Sequence, residues 1–172
     1  MIEAKSYFTN LHDVECNQKY NKNLPYSFHL EMVAKQADKY NHHIPSDNPY
    51  QNAVWVGIWG HDSIEDARLT YNDVKKKFGE IAADIVYLCT EFKGKTRAER
   101  KPTDFYLQLR ENDLATFVKL CDIMANTKFS LLTNSSMFNR YKAEYFEKVK
   151  PLLYMNNQYE DIWLELDKLY NI

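Results

Sequence analysis

The segment HDSIED, residues 61–66, places four ionisable groups within six positions, directly after the apolar run NAVWVGIWG at 52–60. If a helix continues through the segment, residues four apart share a face, which puts Glu65 and Asp66 just beyond His61 and Asp62. Such groups are costly to hold beside a core without a counter-charge, and a divalent cation can supply one. The segment indicates a metal site; an exposed helix end with its charges in water is the alternative.

Two more residues with metal-binding side chains lie in apolar surroundings. They are His29 in PYSFHLEMVA and Asp122 in FVKLCDIMAN. On a helix, Lys119, Asp122 and Asn126 share one face. A buried salt bridge to Lys119 and a hydrogen-bonded core histidine are the simple alternatives. All these residues together favour one shared metal site.

The elements that must position these residues are predicted to be helices, because only 4 glycines and 5 prolines interrupt the chain. The apolar run at 52–60 is typical of a buried helix. Thr70 and Asp73 fit a capping box, and Gly79 fits a helix stop. We find no convincing strand, and we expect the basic stretch 93–102 to be a solvated loop. After a first helix within 1–15, helices are expected at about 27–40, 52–60, 70–78, 80–92, 102–111, 113–129, 138–155 and 157–170.

Length and net charge limit the classes of protein to which this chain can belong. A chain of 172 residues fits a single domain spanning 1–172. A net charge of -2 argues against a protein that coats nucleic acid. No signal peptide and no apolar stretch of about 18 residues is present, so we expect no membrane association.

The cysteines are three, which is an odd number, and their spacing does not suit a metal site. Cys89 and Cys121 lie in apolar runs and are expected in the core, whereas Cys16 lies in a polar stretch. We expect a reduced, cytoplasmic setting. The sequence leaves the oligomeric state open.

The sequence resembles the HD-domain phosphohydrolases, and among them the RelA/SpoT-type hydrolase domains and the stand-alone small alarmone hydrolases. The resemblance spans about 16–170. It rests on Gln18, Pro25-Tyr26 followed by His29, HDSIED with the downstream TYNDVKKKFG, VKLCDIMAN, and AEYFEKVKPLL. It implies an all-α HD-domain helical bundle with a single-metal site at its centre.

The resemblance also implies roles for particular residues. The metal ligands would be His29, His61, Asp62 and Asp122, with Mn²⁺ as the usual ion. A mixed nitrogen and oxygen site also suits iron or zinc. Glu65 and Asp66 would be the catalytic acidic pair, without an assignment of which is the base.

The implied reaction is metal-dependent hydrolysis of the 3'-pyrophosphate of guanosine tetra- or pentaphosphate, giving GDP or GTP and pyrophosphate. The substrate would be a small nucleotide. Its expected contacts are Lys19, Tyr20, Lys22, Asn126 and, as a weaker candidate, Arg140. The basic loop of Lys93, Lys95, Arg97, Arg100 and Lys101 is a second source of cations, although a solvated loop is the simpler interpretation. His42 and His43 are expected to be plain loop residues.

The sequence departs from the family near the base-binding region. Leucine follows His29 where the family often has proline, and Tyr20 stands about where the family usually carries an arginine near the nucleobase. Trp55 and Trp59 precede the His-Asp pair in place of smaller residues. A phosphohydrolase of another nucleotide, such as an adenosine alarmone or a 5'-nucleotide, is therefore the alternative function. A binding module without turnover is disfavoured, because the ligand and acidic residues are all present.

Overall fold

The computed structural model describes residues 2–171. Helices dominate it, and a pair of two-residue strands lies before α2. The elements are α1 Ile2–Asn10, a π-helical turn Leu11–Glu15, β1 Lys19–Tyr20, β2 Leu24–Pro25, α2 Ser27–Lys39, a 3₁₀ turn Asn41–His43, α3 Tyr50–Gly60, α4 Ser63–Asp66, α5 Tyr71–Phe78, α6 Glu80–Cys89, α7 Arg97–Arg100, α8 Thr103–Arg110, α9 Asp113–Leu132, α10 Met137–Glu144, a π-helical turn Tyr145–Val149, α11 Lys150–Leu153 and α12 Glu160–Tyr170.

The centre of the fold is formed by α2, α3, α6 and α9, which pack on one another. Helix α3 is buried on nearly all sides, as its uniformly apolar sequence predicts. Helix α9 runs for 20 residues through the core and carries both Lys119 and Asp122 in buried positions. No helix within residues 2–171 is both long and apolar enough to cross a membrane.

Close packing also joins α1 to the end of α3. A Cβ atom added at Gly60 would lie 2.5 Å from Cζ of Phe8, a fully buried residue of α1. Glycine at this position therefore allows the aromatic ring to rest directly on the backbone that leads into His61.

The capping box and the helix stop predicted from the sequence lie at the two ends of α5. Thr70 and Asp73 form a reciprocal capping box, and Gly79 ends the helix with a φ of 92°. Such a positive φ is readily adopted only by glycine.

Three sequence expectations are wrong in detail. The strands β1 and β2 pair antiparallel, with Tyr20 opposite Leu24, where no strand was expected. The helix expected over 138–155 is interrupted by a π-helical turn, and the basic stretch 93–102 contains α7. Apolar periodicity could not reveal these features, because such short elements depend on contacts with the rest of the molecule.

The predicted burial of two cysteines is confirmed. Cys89 and Cys121 lie in the core, and Cys16 is partly buried. All three have free thiols.

Candidate active site

Three helical regions bring four potential metal ligands together. His29 lies in the first turn of α2, His61 and Asp62 lie between α3 and α4, and Asp122 lies in the middle of α9. We call these four residues the central cluster. They come together because α2, α3 and α9 pack against one another.

The distances within the central cluster suit a shared cation. The two histidine Nε2 atoms are 3.2 Å apart, and Oδ1 of Asp122 lies 3.3 Å from His29 Nε2 and 3.8 Å from His61 Nε2. Oδ2 of Asp62 lies 3.5 Å from His29 Nε2 and 3.1 Å from His61 Nε2. Donors bonded to one metal at about 2.1 Å are separated by roughly 3.0–3.4 Å. His29, His61 and Asp122 therefore form a group that could hold a single divalent ion, and Asp62 lies beside both histidines.

The two histidine rings of the central cluster differ in what surrounds their Nδ1 atoms. His61 Nδ1 lies 3.1 Å from the carbonyl oxygen of Ile58, so a proton on Nδ1 leaves Nε2 free to bind a metal. His29 Nδ1 has no hydrogen-bond partner within residues 2–171. The His29 ring is instead stacked on Tyr20, with centroids 5.0 Å apart and planes 16° from parallel.

Burial and charge make the central cluster electrostatically demanding. Burial lowers the pKa of His29, but the hydrogen bonds that its ring donates to the carboxylates of Asp122 and Asp62 outweigh burial and raise that pKa to about 9. Burial works against ionisation of Asp122, yet Lys119 and the histidines hold its pKa below the usual range. These shifts show that the two carboxylates require positive charge beside them, whether from a proton or from a metal ion.

Lys119 forms a buried ion pair with Asp122. Its Nζ lies 3.0 Å from Asp122 Oδ2, while Oδ1 of the same carboxylate faces the histidines. The sequence offered a salt bridge between these two residues as an alternative to a metal site. The structure contains that salt bridge and also places Asp122 beside the two histidines. One oxygen pairs with lysine, and the other remains available to a metal.

A hydrogen-bond network extends from the central cluster to one residue of the acidic pair. Tyr26 donates to Asp62 and lies 3.4 Å from Asp66 Oδ2. Gln18 donates to the same Asp66 oxygen at 3.0 Å, and its own Oε1 lies 2.6 Å from Nδ1 of the buried His12. The ring of His12 stacks on Tyr26. Asp66 is thus held in place by Gln18 and Tyr26, which flank the two short strands, and Gln18 is held in turn by the π-helical turn after α1.

Glu65, the other residue of the acidic pair, lies in a different environment. It accepts a hydrogen bond from the backbone N–H of Glu91 at 3.1 Å. Burial, and then the negative charge of Glu91, raise the pKa of Glu65, whereas burial and then Asp62 raise the pKa of Asp66. Raised carboxyl pKa values in a cleft are typical of groups that exchange protons in catalysis.

An open cleft of about 290 Å³ is lined by His29, Asp62 and Asp122 of the central cluster and by the acidic pair, while His61 lies buried beneath it. The backbone hydrogen bond from Asp66 N to the Asp62 carbonyl, 2.8 Å long, shows that one helical turn joins the two sites. The other residues that line the cleft are Tyr20, Tyr26, Glu91, Arg97, Arg100, Lys101, Lys119, Asn126 and Tyr141. A neighbouring cavity of about 590 Å³ shares Glu65, Glu91 and Arg100 with the cleft.

The cations of the cleft come mainly from the stretch expected to be a solvated loop, and that expectation is wrong for three of its residues. Lys101 is buried and forms ion pairs with Glu91 and Glu144. Arg97 binds Glu144, and Arg100 binds Glu91. Glu91, just before the stretch, and Glu144, distant in sequence, hold these three residues at the cleft. Lys93 and Lys95 stay exposed.

The expected substrate contacts divide into two groups. Tyr20 and Asn126 line the cleft and are hydrogen-bonded to each other at 2.9 Å. Asn126 also donates to Asp122 Oδ1 at 2.6 Å, so both ends of its amide are engaged within the protein. Lys19, Lys22 and Arg140 are exposed and do not line the cleft as described over residues 2–171.

Residues that the sequence analysis did not assign to the site include His12, Glu91 and Tyr141. Tyr26 was noted only as part of the Pro-Tyr motif, and Gln18 only as a matching residue. Their proximity to the acidic pair could not be read from spacing alone. His12 lies 54 positions from Asp66 along the chain, and only folding brings them near one another.

Fold and site together define a helical protein with a buried, metal-capable group of His29, His61 and Asp122 at its centre. No family model matches the sequence, and no curated protein matches it significantly. The fold is similar to the solved structure of a metazoan ortholog of SpoT, which is described as hydrolysing ppGpp and playing a role in starvation responses. The TM-score is 0.76 at 20% identity, and the alignment covers 99% of this chain and 93% of the other. The predicted all-helical HD-type fold is thereby confirmed.

Proposed function

We propose that this protein is a metal-dependent phosphohydrolase that removes the 3'-pyrophosphate of guanosine tetra- or pentaphosphate, giving GDP or GTP and pyrophosphate. The observation that carries the proposal is the convergence of four metal-type side chains, three of which line a cleft that also holds two acidic residues. The pKa values of both acidic residues are raised. The fold shared with a ppGpp hydrolase over nearly the whole chain supports the choice of substrate.

In this proposal His29, His61, Asp62 and Asp122 hold one divalent ion. Mn²⁺ is the proposed ion, and iron or zinc also suits two imidazoles and two carboxylates. When bound, such an ion acidifies water and withdraws charge from a phosphoryl group. Lys119 neutralises the rear oxygen of Asp122 and keeps the other oxygen directed at the histidines.

Glu65 and Asp66 are proposed to orient the attacking water and to accept its proton. Their raised pKa values bring them closer to neutral pH, where a carboxylate becomes a more effective base. Gln18 and Tyr26 hold the carboxylate of Asp66, while the Glu91 N–H holds that of Glu65. Each acidic side chain is therefore pre-oriented before substrate binds.

The substrate is strongly anionic, and the cleft offers cations to receive it. Arg97, Arg100, Lys101 and Lys119 line the cleft. Since all four are paired with carboxylates, substrate phosphates would share or displace these partners.

Tyr20 and Asn126 are proposed to contact the nucleoside. Lys19, Lys22 and Arg140 remain candidates for parts of the substrate that extend beyond the cleft.

A phosphohydrolase of another nucleotide is the second candidate. It is favoured by Tyr20, which stands about where an arginine is usual and already has one face stacked on His29. An adenosine alarmone or a 5'-nucleotide would then be the substrate. The metal site and the acidic pair would serve such a reaction equally well.

The decisive experiment is hydrolysis of guanosine 3',5'-bisdiphosphate with added Mn²⁺, measured beside adenosine alarmones and 5'-nucleotides. Release of pyrophosphate and GDP that stops on addition of a chelator is the expected result. Hydrolysis of another member of the panel alone would replace the substrate and retain the chemistry. No hydrolysis of any phosphate ester by folded, metal-loaded protein would contradict the proposed function.

We also propose that the chain is one domain over 1–172 that works in the cytoplasm on a small-molecule nucleotide. The three free thiols of Cys16, Cys89 and Cys121 suit a reducing compartment.

A further inference from the structure

A second group of metal-type side chains lies at the surface, on elements far apart in sequence. His42 and His43 belong to the 3₁₀ turn after α2, and Asp161 lies in the first turn of α12. We call these residues the surface cluster. One donor atom from each residue lies within 4.8 Å of the others.

The carboxylate of Asp161 is aimed at both imidazoles. Its Oδ1 lies 2.7 Å from Nε2 of His43, and its Oδ2 lies 3.0 Å from Nε2 of His42. The two histidine rings are adjacent, with centroids 4.1 Å apart. The two separations from the carboxylate, 2.7 and 3.0 Å, are close to the roughly 3.0–3.4 Å that separates donors bonded to one metal at about 2.1 Å.

Packing holds part of the surface cluster in position. The ring of His43 meets the ring of Tyr159 edge-on at 5.0 Å, and Oδ1 of Asp161 accepts the N–H of Ile162 at 3.0 Å. Donor groups that are fixed beforehand lose less freedom when a metal binds. Only His42, with a side chain 59% exposed, must be ordered further.

The surroundings of the surface cluster also favour a cation. Within residues 2–171, Asp161 has no lysine or arginine as an ion-pair partner, and the two imidazoles are the only side chains with which its oxygens form ion pairs. A surface hollow of about 530 Å³ begins at His42 and leaves space for water ligands.

We propose that the surface cluster binds a divalent transition-metal ion of the zinc, nickel and copper class, and that this ion joins the turn after α2 to α12. Two imidazole nitrogens and a carboxylate suit these ions better than magnesium or calcium, which prefer oxygen ligands. The site is separate from the central cluster, and it does not depend on the proposed hydrolase function.

The test uses zinc as the probe and counts the ions that remain on the full-length protein after equilibrium dialysis. The wild-type protein is expected to retain one ion more than His42→Gln and one ion more than Asp161→Asn. Because the readout is a difference of one ion, it does not depend on whether the central cluster is loaded. Calorimetry should show binding at this site weakened at least about tenfold in either variant.

Asp38→Asn is the matched control, because it removes a carboxylate from the same hollow without removing a donor. It is expected to keep the wild-type number of ions. A copper titration followed by NMR should broaden the Ile162 amide signal in wild type and control alike. Equal ion counts in wild type and both cluster variants would overturn the proposal, as would loss of an ion in Asp38→Asn.

Discussion

The central and surface clusters contain the same types of donor but lie in opposite surroundings. In the central cluster, burial makes each unpaired charge expensive, so its carboxylates depend on Lys119, the histidines and a cation. In the surface cluster, water screens Asp161, and nothing in the fold requires a metal. The comparison shows that two histidines and an aspartate define a capacity to bind metal. Catalysis also requires a substrate cleft and groups that transfer protons. Of the two clusters, only the central cluster adjoins such a cleft with an acidic pair.

Removal of a central carboxylate should give the largest effect. We expect Asp62→Ala to lose the ion of the central cluster and to lower turnover by about 10,000-fold or more, because charge stabilisation worth several kcal/mol is removed. Metal content and pyrophosphate release measure both effects. Asp38→Asn, an exposed change, serves as control and should keep both. Full activity of Asp62→Ala with metal still bound would show that the central cluster is not the metal site.

The acidic pair is what the surface cluster lacks, and its removal should separate metal binding from chemistry. We expect the double variant Glu65→Gln, Asp66→Asn to reduce turnover by about 1,000-fold, which is typical for loss of a general base. Since neither residue belongs to the central cluster, metal content should stay at the wild-type level. Unchanged turnover would remove both residues from the mechanism.

The ion pairs that hold α7 at the cleft should make stability depend on pH. Burial opposes ionisation of Glu144, but Lys101 and Arg97 outweigh it and lower its pKa from 4.5 to about 2. The resulting stability is fully present above about pH 4.5 and is lost as the pH falls towards 2. It amounts at most to about 3 kcal/mol, since one pKa unit corresponds to about 1.4 kcal/mol.

Urea unfolding of Glu144→Gln at pH 7, 4 and 3 tests this expectation. The variant should be less stable than wild type at pH 7, and the difference should shrink towards pH 3. Glu147→Gln, an exposed change three positions away, should match wild type throughout. A deficit that is the same at every pH would show that charge pairing is not its cause.

The smallest expected effect concerns Gln18, which holds Asp66 of the acidic pair in place. Gln18→Leu removes the hydrogen bond to Asp66 and the partner of His12 without a large change in volume. As a positioning residue, Gln18 should affect kcat by about tenfold while KM and metal content stay close to wild type. A rise in KM with unchanged kcat would instead place Gln18 in substrate binding.

Much of the fold could be predicted because the helices carry strong apolar patterns and few breakers. The run at 52–60 could only be a buried helix, and Thr70 with Gly79 marks the ends of the next ordered segment. The π-helical turn Tyr145–Val149 could not be predicted, because its sequence continues the helical pattern on either side.

The candidate site was predictable where one local segment carried the chemistry. HDSIED supplied both the His-Asp pair and the acidic pair, and the apolar surroundings of His29 and Asp122 pointed to these two residues as well. Arg97, Arg100 and Lys101 were named only as a second source of cations, because their place at the cleft depends on ion pairs with Glu91 and Glu144 that form on folding. Lys19 and Lys22 were predicted as substrate contacts from their position in sequence before Pro25, but both are exposed and neither is among the residues that line the cleft.

The contact between Gly60 and Phe8 has a consequence for how this sequence can change over time. Since a Cβ at position 60 would collide with the ring, an alanine there can be accepted only after the residue at position 8 has become smaller. The two positions should therefore drift together among descendants of this chain, one losing bulk as the other gains it. Although α1 contributes no metal ligand, Phe8 would in this way limit which residues evolution can place at position 60, next to His61.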